Sequence, residues 1–401
     1  MSYATYDSYK DSGVDWLGEI PSDWELGRIS AFFSERRQKV SDKDYPALSV
    51  TKLGVFPQWE NVAKSNDGDN RKLVKKGDFV INSRSDRKGS SGIAKQDGSV
   101  SLINIVLKPV NIEPRYSEYL FKSYNFIEEF YRVGHGIVAD LWTTRFDDIK
   151  NSMIALPTFD EQVKIANFLD QKTAQIDQAI ALKQQQIEKL NEYKQIVIQN
   201  AVTKGLNPNA PMKNSGVEWI GNIPEHWEVK KLKFLCNFDT GNKDTVNAID
   251  DGAYPLFVRS QNIERIDEFT HDCEAVLTAG DGAGVGKVFH YYKGKFCFHQ
   301  RVYMFNNFRE ISGRYFYYYF SSLFYKVALD GSAKSTVDSL RRPMIANFPI
   351  VYPETQEQLR IVEYLDKKMN SFIKSENLYQ TQIDRLKEYK NILINQAVTG
   401  K

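Results

Sequence analysis

The chain has 401 residues, 42% apolar and 26% charged, with a net charge of +2 and a mean hydropathy of -0.47. That supports roughly two to four packed units and excludes a disordered chain. Near-neutral charge excludes a uniformly basic nucleic-acid binder, so any DNA-binding surface must arise from local charge segregation.

Residues 9–25 read YKDSGVDWLGEIPSDWE, and the stretch 7–25 holds one Lys against six acids. They recur at 212–228 as MKNSGVEWIGNIPEHWE, identical at ten of 17 positions, including Trp16/Trp219, Pro21/Pro224 and Trp24/Trp227. Residues 28–108 then reverse the charge, with 16 Lys and Arg against nine acids. Tyr45-Pro46 reads as a strand start and leads to Val50-Thr51-Lys52. A strand over Phe79 to Ile81 runs into a polar, glycine-rich loop carrying Asn82, Ser83, Arg84, Arg87 and Lys88. Arg and Asn can each bond two base-edge atoms, and Lys reaches phosphate or guanine. An aromatic, helix-like stretch from Tyr116 to Tyr131 ends in the turn Gly134-His135-Gly136.

Thr158 to Glu161 is a capping-box pattern, and no proline follows until the chain has passed Gly205. Leu169, Thr173, Ile176, Ile180, Lys183, Ile187, Leu190, Lys194, Val197 and Ala201 keep an alternating spacing of four and three. Residues 353–401 align with 157–205 without a gap, with 20 identities in 49, sharing EQ, LD, EYK and AVT. Their matching seam is Leu365, Met369, Phe372, Glu376, Tyr379, Ile383, Leu386, Lys390, Leu393 and Ala397, after a cap expected at Thr355. About 44 helical residues make a rod of roughly 65 Å, and the heptads predict a coiled coil between the two stretches. Repeats related by a pseudo-twofold run antiparallel. One register sets Lys183 opposite Glu376, Ile187 opposite Phe372 and Leu190 opposite Met369.

Between these, residues 230–351 again start at Tyr-Pro (Tyr254-Pro255) and carry Arg259, Ser260, Gln261 and Asn262. GDGAGVGKVF at 280–289 contributes Asp281 and Lys287, and His299, Gln300 and Arg301 follow. Residues 282–309 hold five Lys and Arg and no acid. A phosphate-binding P-loop needs Gly at the position of Asp281 and Ser or Thr at that of Val288, so nucleotide binding is excluded there. Tyr315–Phe320 reads as helix core with tyrosine hydroxyls at the surface, and Lys334 is a further candidate by charge.

Bond-making motifs are missing. There is no Asn-Pro-Pro-Tyr-type tetrapeptide, no Pro-Asp start of a nuclease site, no HExxH or paired metal spacing, and no CxxC among Cys236, Cys273 and Cys297. No run of about 18 apolar residues is present, and residues 1–25 lack an export-signal pattern, so a cytoplasmic chain with no membrane partner is expected.

The duplicated SGVxWxGxIPxxW segment, the two polar glycine loops and the paired P…EQxxIxxxLD…EYKxxxIxxAVT stretches resemble the specificity subunit of type I restriction–modification systems. The resemblance implies an α+β chain of two α/β target recognition domains separated by a long antiparallel two-helix coiled coil, with pseudo-twofold internal repeat. Its parts would be 1–26, a first repeat segment; 27–155, the first recognition domain; 156–205, the first spacer helix; 206–229, a linker with the second repeat segment; 230–351, the second recognition domain; and 352–401, the second spacer helix. By the same resemblance, the chain reads a bipartite site on double-stranded DNA. It would recruit two modification (methyltransferase) subunits and two restriction (motor and nuclease) subunits. The chain itself would bind no cofactor; S-adenosylmethionine, ATP and magnesium belong to the partners, and no catalytic residue is expected here. A stand-alone sequence-specific DNA-binding protein shares the loops and helices but needs no duplicated docking segments, and an enzyme with an unrecognised nuclease site is a further alternative.

Overall fold

The computed structural model of the chain describes residues 6–58, 68–136, 142–328 and 339–401. The chain divides into two compact units, residues 1–183 with 381–401, and residues 184–380. The division falls inside both long helices, Phe159–Lys204 and Thr355–Thr399.

In the first unit, a four-stranded antiparallel sheet runs Ser91–Ile93, Phe79–Asn82, Asn104–Pro109, Phe33–Glu35. A three-stranded sheet (Gly98–Val100, Arg71–Val74, Lys39–Val40) and the hairpin Leu48–Thr51/Gly54–Pro57 complete its β structure around the candidate loops. The strand after Tyr45-Pro46 starts at Leu48, with Ala47 bridging Ser99. The aromatic stretch forms two helices, Pro114–Lys122 and Tyr124–Arg132, because the Ser123 side chain caps the second.

In the second unit, six strands are ordered Asn237–Thr240, Val302–Asn306, His271–Ala279, Phe289–Phe298, Tyr254–Phe257, Glu264–Ile266. Tyr254–Phe257 pairs parallel with Phe289–Phe298, which the first unit's four-stranded sheet does not match. The helix Gly313–Leu323 packs behind this sheet with Tyr315, Phe316, Tyr319 and Phe320 buried. Two of its hydroxyls turn inward rather than to the surface as expected, while Tyr317 and Tyr318 line a surface hollow. Tyr315 donates to the Val202 and Val351 carbonyls, and Tyr319 to that of Pro349. A buried phenol needs an acceptor, and the nearby backbone supplies it.

The repeats build the same frame in each unit. Glu25–Arg28 pairs with Met153–Leu156, and Glu228–Lys231 with Pro349–Tyr352. Trp24 and Trp227 are fully buried. The Gln of each EQ motif is a buried bracket. Gln162 Oε1 accepts from the Glu113 N–H at 2.9 Å while its Nε2 donates to the Pro157 carbonyl at 2.9 Å. Gln358 does the same with Ser312 and Pro353, both at 2.8 Å. Arg115 pairs with Asp170, and Arg314 with Asp366.

Each frame is closed by the AVT end of a long helix. In the first unit the Tyr116 hydroxyl donates to the carbonyl of Val398; in the second, that of Tyr315 donates to Val202. Thr158 Oγ1 accepts from the Glu161 N–H at 3.4 Å, but the second long helix begins at Thr355 itself, so the expected second cap is displaced. Within the first unit, Lys390 pairs with Asp177 at 2.7 Å, and Leu169, Ile176, Ile180, Leu386, Leu393 and Ala397 share one apolar cluster. Within the second, Leu190, Val197, Leu365, Met369 and Phe372 share another, and Phe372 meets Tyr193 edge-on at 5.7 Å. Phe372 thus lies about one and two-thirds turns further along the first long helix than the expected partner Ile187. Ile383 is buried, and Ile187 is half-buried.

Candidate nucleic-acid interface

The first unit carries a groove of about 730 Å³ lined by Lys52, Arg71, Asn82, Arg84, Asp86 and Arg87. Its lining comes from the end of the Phe79–Asn82 strand, the Leu48–Thr51 strand with Lys52, and the short 3-10 turn Ser85–Arg87. The Asn82 side-chain oxygen accepts from the Arg84 N–H at 3.1 Å, and Arg84 bridges Thr143, so the loop leaves the strand in a fixed direction. Arg87 is an open side chain, 67% exposed, with Asp86 at 3.6 Å. Arg71, which sequence reasoning missed, is buried beneath and donates to Ser99 Oγ at 2.9 Å and its carbonyl at 3.1 Å. Burial lowers its pKa from the ordinary value. Its signal was an arginine in the strand run Arg71–Val74.

Two neighbours face elsewhere. Ser83 is only 2% exposed, and its hydroxyl donates to the Ile103 carbonyl. Strand alternation turns it away from the side Asn82 presents. Lys88 pairs with Glu128 at 2.6 Å and lies over the Tyr131 ring, against the helix Tyr124–Arg132. Neither is among the residues lining the groove.

In the second unit the candidate loops interlock. Asp281 Oδ1 accepts from Arg259 Nη1 at 2.7 Å and its Oδ2 from Arg301 Nη1 at 3.0 Å. One carboxylate therefore aims two guanidinium forks. Asp281 acts on Arg259 and Arg301, and its own charge does not favour phosphate. A Cβ on Gly284 would come within 2.6 Å of the Arg259 carbonyl, so the tight approach of this loop to Arg259 requires glycine there.

Gln261 Nε2 donates to the Lys287 carbonyl at 3.2 Å, and Gln300 Nε2 to Asp244 Oδ2 at 2.9 Å. His299 is buried; its Nδ1 accepts from the Arg301 N–H at 2.9 Å, and burial lowers its pKa. Ser260 and Asn262 form a local turn, with the Asn262 N–H donating to Ser260 Oγ at 2.9 Å. Asp244 was missed by sequence reasoning. A hollow of about 390 Å³ lies beside these loops, lined by Lys194, Gln261, Lys287, Arg314, Tyr317 and Tyr318. Lys334 lies outside the described residues.

Both units thus present Arg, Asn, Gln and Lys side chains, which can bond base edges and phosphates, on one repeated frame. Residues 21–192 and 224–385 each match the family described as the type I restriction modification DNA specificity domain. The chain belongs to that family. Across 427 aligned residues it is 25% identical to the type I restriction enzyme MjaVIII specificity subunit of Methanocaldococcus jannaschii, covering 95% of this chain and 93% of that one. It is 29% identical over 182 residues to the type I restriction enzyme EcoDI specificity subunit of Escherichia coli, covering 45% of this chain and 40% of that one. The chain therefore spans less than half of the EcoDI subunit and nearly all of the MjaVIII subunit.

Two solved structures share the fold of this specificity-domain chain. One, from work on complex assembly and conformational transition of the type I R-M system, has a TM-score of 0.69 at 14% identity, covering 94% of this chain and 98% of that chain. The other, the HsdS subunit of Thermoanaerobacter tengcongensis, has a TM-score of 0.52 at 15% identity, covering 95% and 98%. The mixed α/β content and the duplicated specificity domain are thus common ground. Among the described residues, no helix is long and apolar enough to cross a membrane.

Proposed function

We propose that this chain is the DNA-reading subunit of a type I restriction–modification complex, with each unit reading one half of a bipartite duplex site. The observation that carries this reading is the pairing of one repeated frame with two chemically different polar surfaces. Asn82, Arg84 and Arg87 stand over a groove in one unit, and the Asp281-clamped Arg259 and Arg301 stand in the other. A protein that reads two unlike half-sites needs the same mount and different contacts, which is how the repeats divide.

The finer assignment follows from the family. The two long helices act as the spacer that fixes the unread gap, in the manner of a coiled coil. The repeated Trp16 and Trp219 segments, the helix ends and the outer faces of the helices dock two modification subunits, to which two restriction subunits are added. S-adenosylmethionine, ATP and magnesium are held by those partners, which supply the chemistry.

Co-purification with a co-expressed methyltransferase, followed by mapping of methylated adenines by long-read sequencing, tests the whole reading. A bipartite methylated motif with a constant gap is expected. A chain that takes up no methyltransferase and binds DNA alone would leave the stand-alone reader in its place. Removing one heptad from 170–200 and one from 366–396 together shortens the preferred gap; an unchanged gap defeats the spacer role.

A further inference from the structure

Two aliphatic side chains are set apart by their exposure. Leu53 is 85% exposed and Val246 is 86% exposed, whereas the next large apolar side chain among the described residues, Tyr124, is 66% exposed. Isolated exposed apolar residues are ordinary on protein surfaces. These two differ in where they sit and in how firmly they are held.

Leu53 occupies the tip of the Leu48–Thr51/Gly54–Pro57 hairpin in the first unit. The Thr51 hydroxyl staples that tip, accepting from the Leu53 N–H at 3.2 Å and donating to the Gly54 carbonyl at 3.1 Å. Gly54, at φ +134°, allows the chain to turn back. The adjacent Thr51 and Lys52 line the same groove as Asn82, Arg84 and Arg87. Leu53 does not itself line the groove, but it follows directly on two residues that do, so the apolar tip stands next to the candidate reading surface.

Val246 is the middle residue of the 3-10 turn Thr245–Asn247 in the second unit. The Asp244 N–H donates to Asn247 Oδ1 at 2.8 Å, closing the turn. The turn is tied to the other candidate loop. Gln300 Nε2 reaches Asp244 Oδ2, and the Gln300 N–H donates to the Lys243 carbonyl at 2.8 Å. Different elements in the two units thus arrive at the same arrangement, a rigidly held aliphatic group beside side chains suited to base edges.

Duplex DNA offers one apolar feature at the base edges of the major groove, the C5 methyl of thymine. Polar side chains cannot register it, and an aliphatic side chain can. Val246 extends only one carbon past Cβ, too short for a wedge driven between base steps, so contact with a protruding methyl fits it better than insertion.

We propose that Leu53 and Val246 are specificity residues, each closing on a thymine methyl in the half-site that its own unit reads. This rests on the DNA-reading assignment above. Under that assignment, a half-site that carries a methylated adenine holds a thymine opposite it.

The test uses the full chain with its modification partner and the cognate duplex defined by methylation mapping. Thymines are replaced by deoxyuridine in one half-site at a time, which removes the methyl and keeps every hydrogen-bonding group. At about one buried methyl per contact, wild type loses roughly fourfold in affinity for each contacted thymine. Leu53→Ala loses affinity for the thymine duplex and becomes insensitive to uracil in one half-site; Val246→Ala does the same in the other. Both side chains are exposed, so neither change disturbs packing.

Variants that bind like wild type, or that stay as sensitive to uracil as wild type, overturn the proposal. So does a 2-aminopurine signal of base unstacking that Leu53→Ala abolishes while uracil has no effect, because that outcome marks a wedge. If wild type itself fails to distinguish the cognate duplex from a scrambled one, the DNA-reading assignment fails. If it discriminates and the variants change nothing, the methyl contact alone fails.

Discussion

Asp281→Asn separates the aiming of two arginines from their attraction to DNA. The carboxylate holds Arg259 at 2.7 Å and Arg301 at 3.0 Å, with the three side chains 18%, 42% and 57% exposed. Partly exposed ion pairs contribute about 0.2–1 kcal/mol each, so folding stability falls by only about 0.5–2 kcal/mol. Binding responds differently. Without the clamp, two guanidiniums regain rotamer freedom that a specific complex must remove again, at about 0.5–1.5 kcal/mol per side chain. Cognate affinity then drops by about 1–3 kcal/mol, or roughly 5- to 150-fold. Non-specific affinity rises, because one negative charge is gone and the freed arginines can reach phosphates. Each added phosphate contact steepens the log–log salt slope by about 0.9. Competition binding across about 50–200 mM salt, with cognate DNA against DNA scrambled in one half-site, reads both quantities. If the two DNAs change in parallel, or the slope is unaltered, Asp281 is not an aiming group and the reasoning fails.

Arg87→Ala weakens cognate binding by about 1–3 kcal/mol and relaxes preference in one half-site only, while Lys287→Ala does so in the other; an equal loss on all sequences would mark phosphate contact instead. Val398→Ala destabilises the first unit and Val202→Ala the second, each by about 2 kcal/mol, since both side chains are fully buried. Hydrogen exchange followed unit by unit checks this, and protection lost from the opposite unit refutes it. Burial lowers the pKa of His271, His290 and His299, all in the 184–380 unit, while around His299 the carboxylates of Asp244 and Asp281 raise it and Arg259 and Arg301 lower it further. The unfolded chain takes up protons near the ordinary value of 6.5 before the folded unit does. Stability is therefore full above that pH and is lost as pH falls below it. A melting temperature for that unit that stays flat from about pH 7.5 to about 5.5 contradicts the assignment.

The long helices were legible because heptad spacing and the absence of proline leave few other structures open to 40-odd residues. Their pairing was less so. Heptads look alike when slid by seven, and the register chosen from Lys183 and Glu376 overlooked Tyr193, which lies outside the apolar seam yet receives Phe372. The repeated EQ and AVT motifs were visible as repeats. Their roles were not, because a glutamine binding backbone on both sides and a helix end closing a fold are contacts between distant segments. The loops were legible by composition, down to Asn82, Arg84 and Arg87 in one groove. What composition could not say is which way each side chain turns. Ser83 goes inward by strand alternation, Lys88 goes to Glu128, and Asp281 serves its neighbours. Arg71 was hidden because buried arginines are rare, and the Ser99 oxygens and the nearby Asp42 charge that make this one tolerable come from distant segments.

The frame's anchoring contacts explain why the middles of the repeats can differ so widely. Gln162 and Gln358 fasten the residues just before the helices Pro114–Lys122 and Gly313–Leu323, and Tyr116 and Tyr315 on those helices fasten to the AVT ends. Trp24 and Trp227 lie just before the divergent segments, beside the paired edge strands. Between those fixed points one unit makes a four-stranded antiparallel sheet and the other a six-stranded sheet containing a parallel pair, while the Gln-to-backbone and Tyr-to-AVT bonds recur in both. Most of the stabilising burial at the anchors is therefore independent of the loops that carry Arg87 or Arg259. A change of reading residue leaves the mount intact, and a change in the mount, such as Gln358→Ala, strips a buried N–H and carbonyl of their partners at about 1–3 kcal/mol apiece. Stability and sequence preference are thus held by different residues, so one frame can carry two unlike readers.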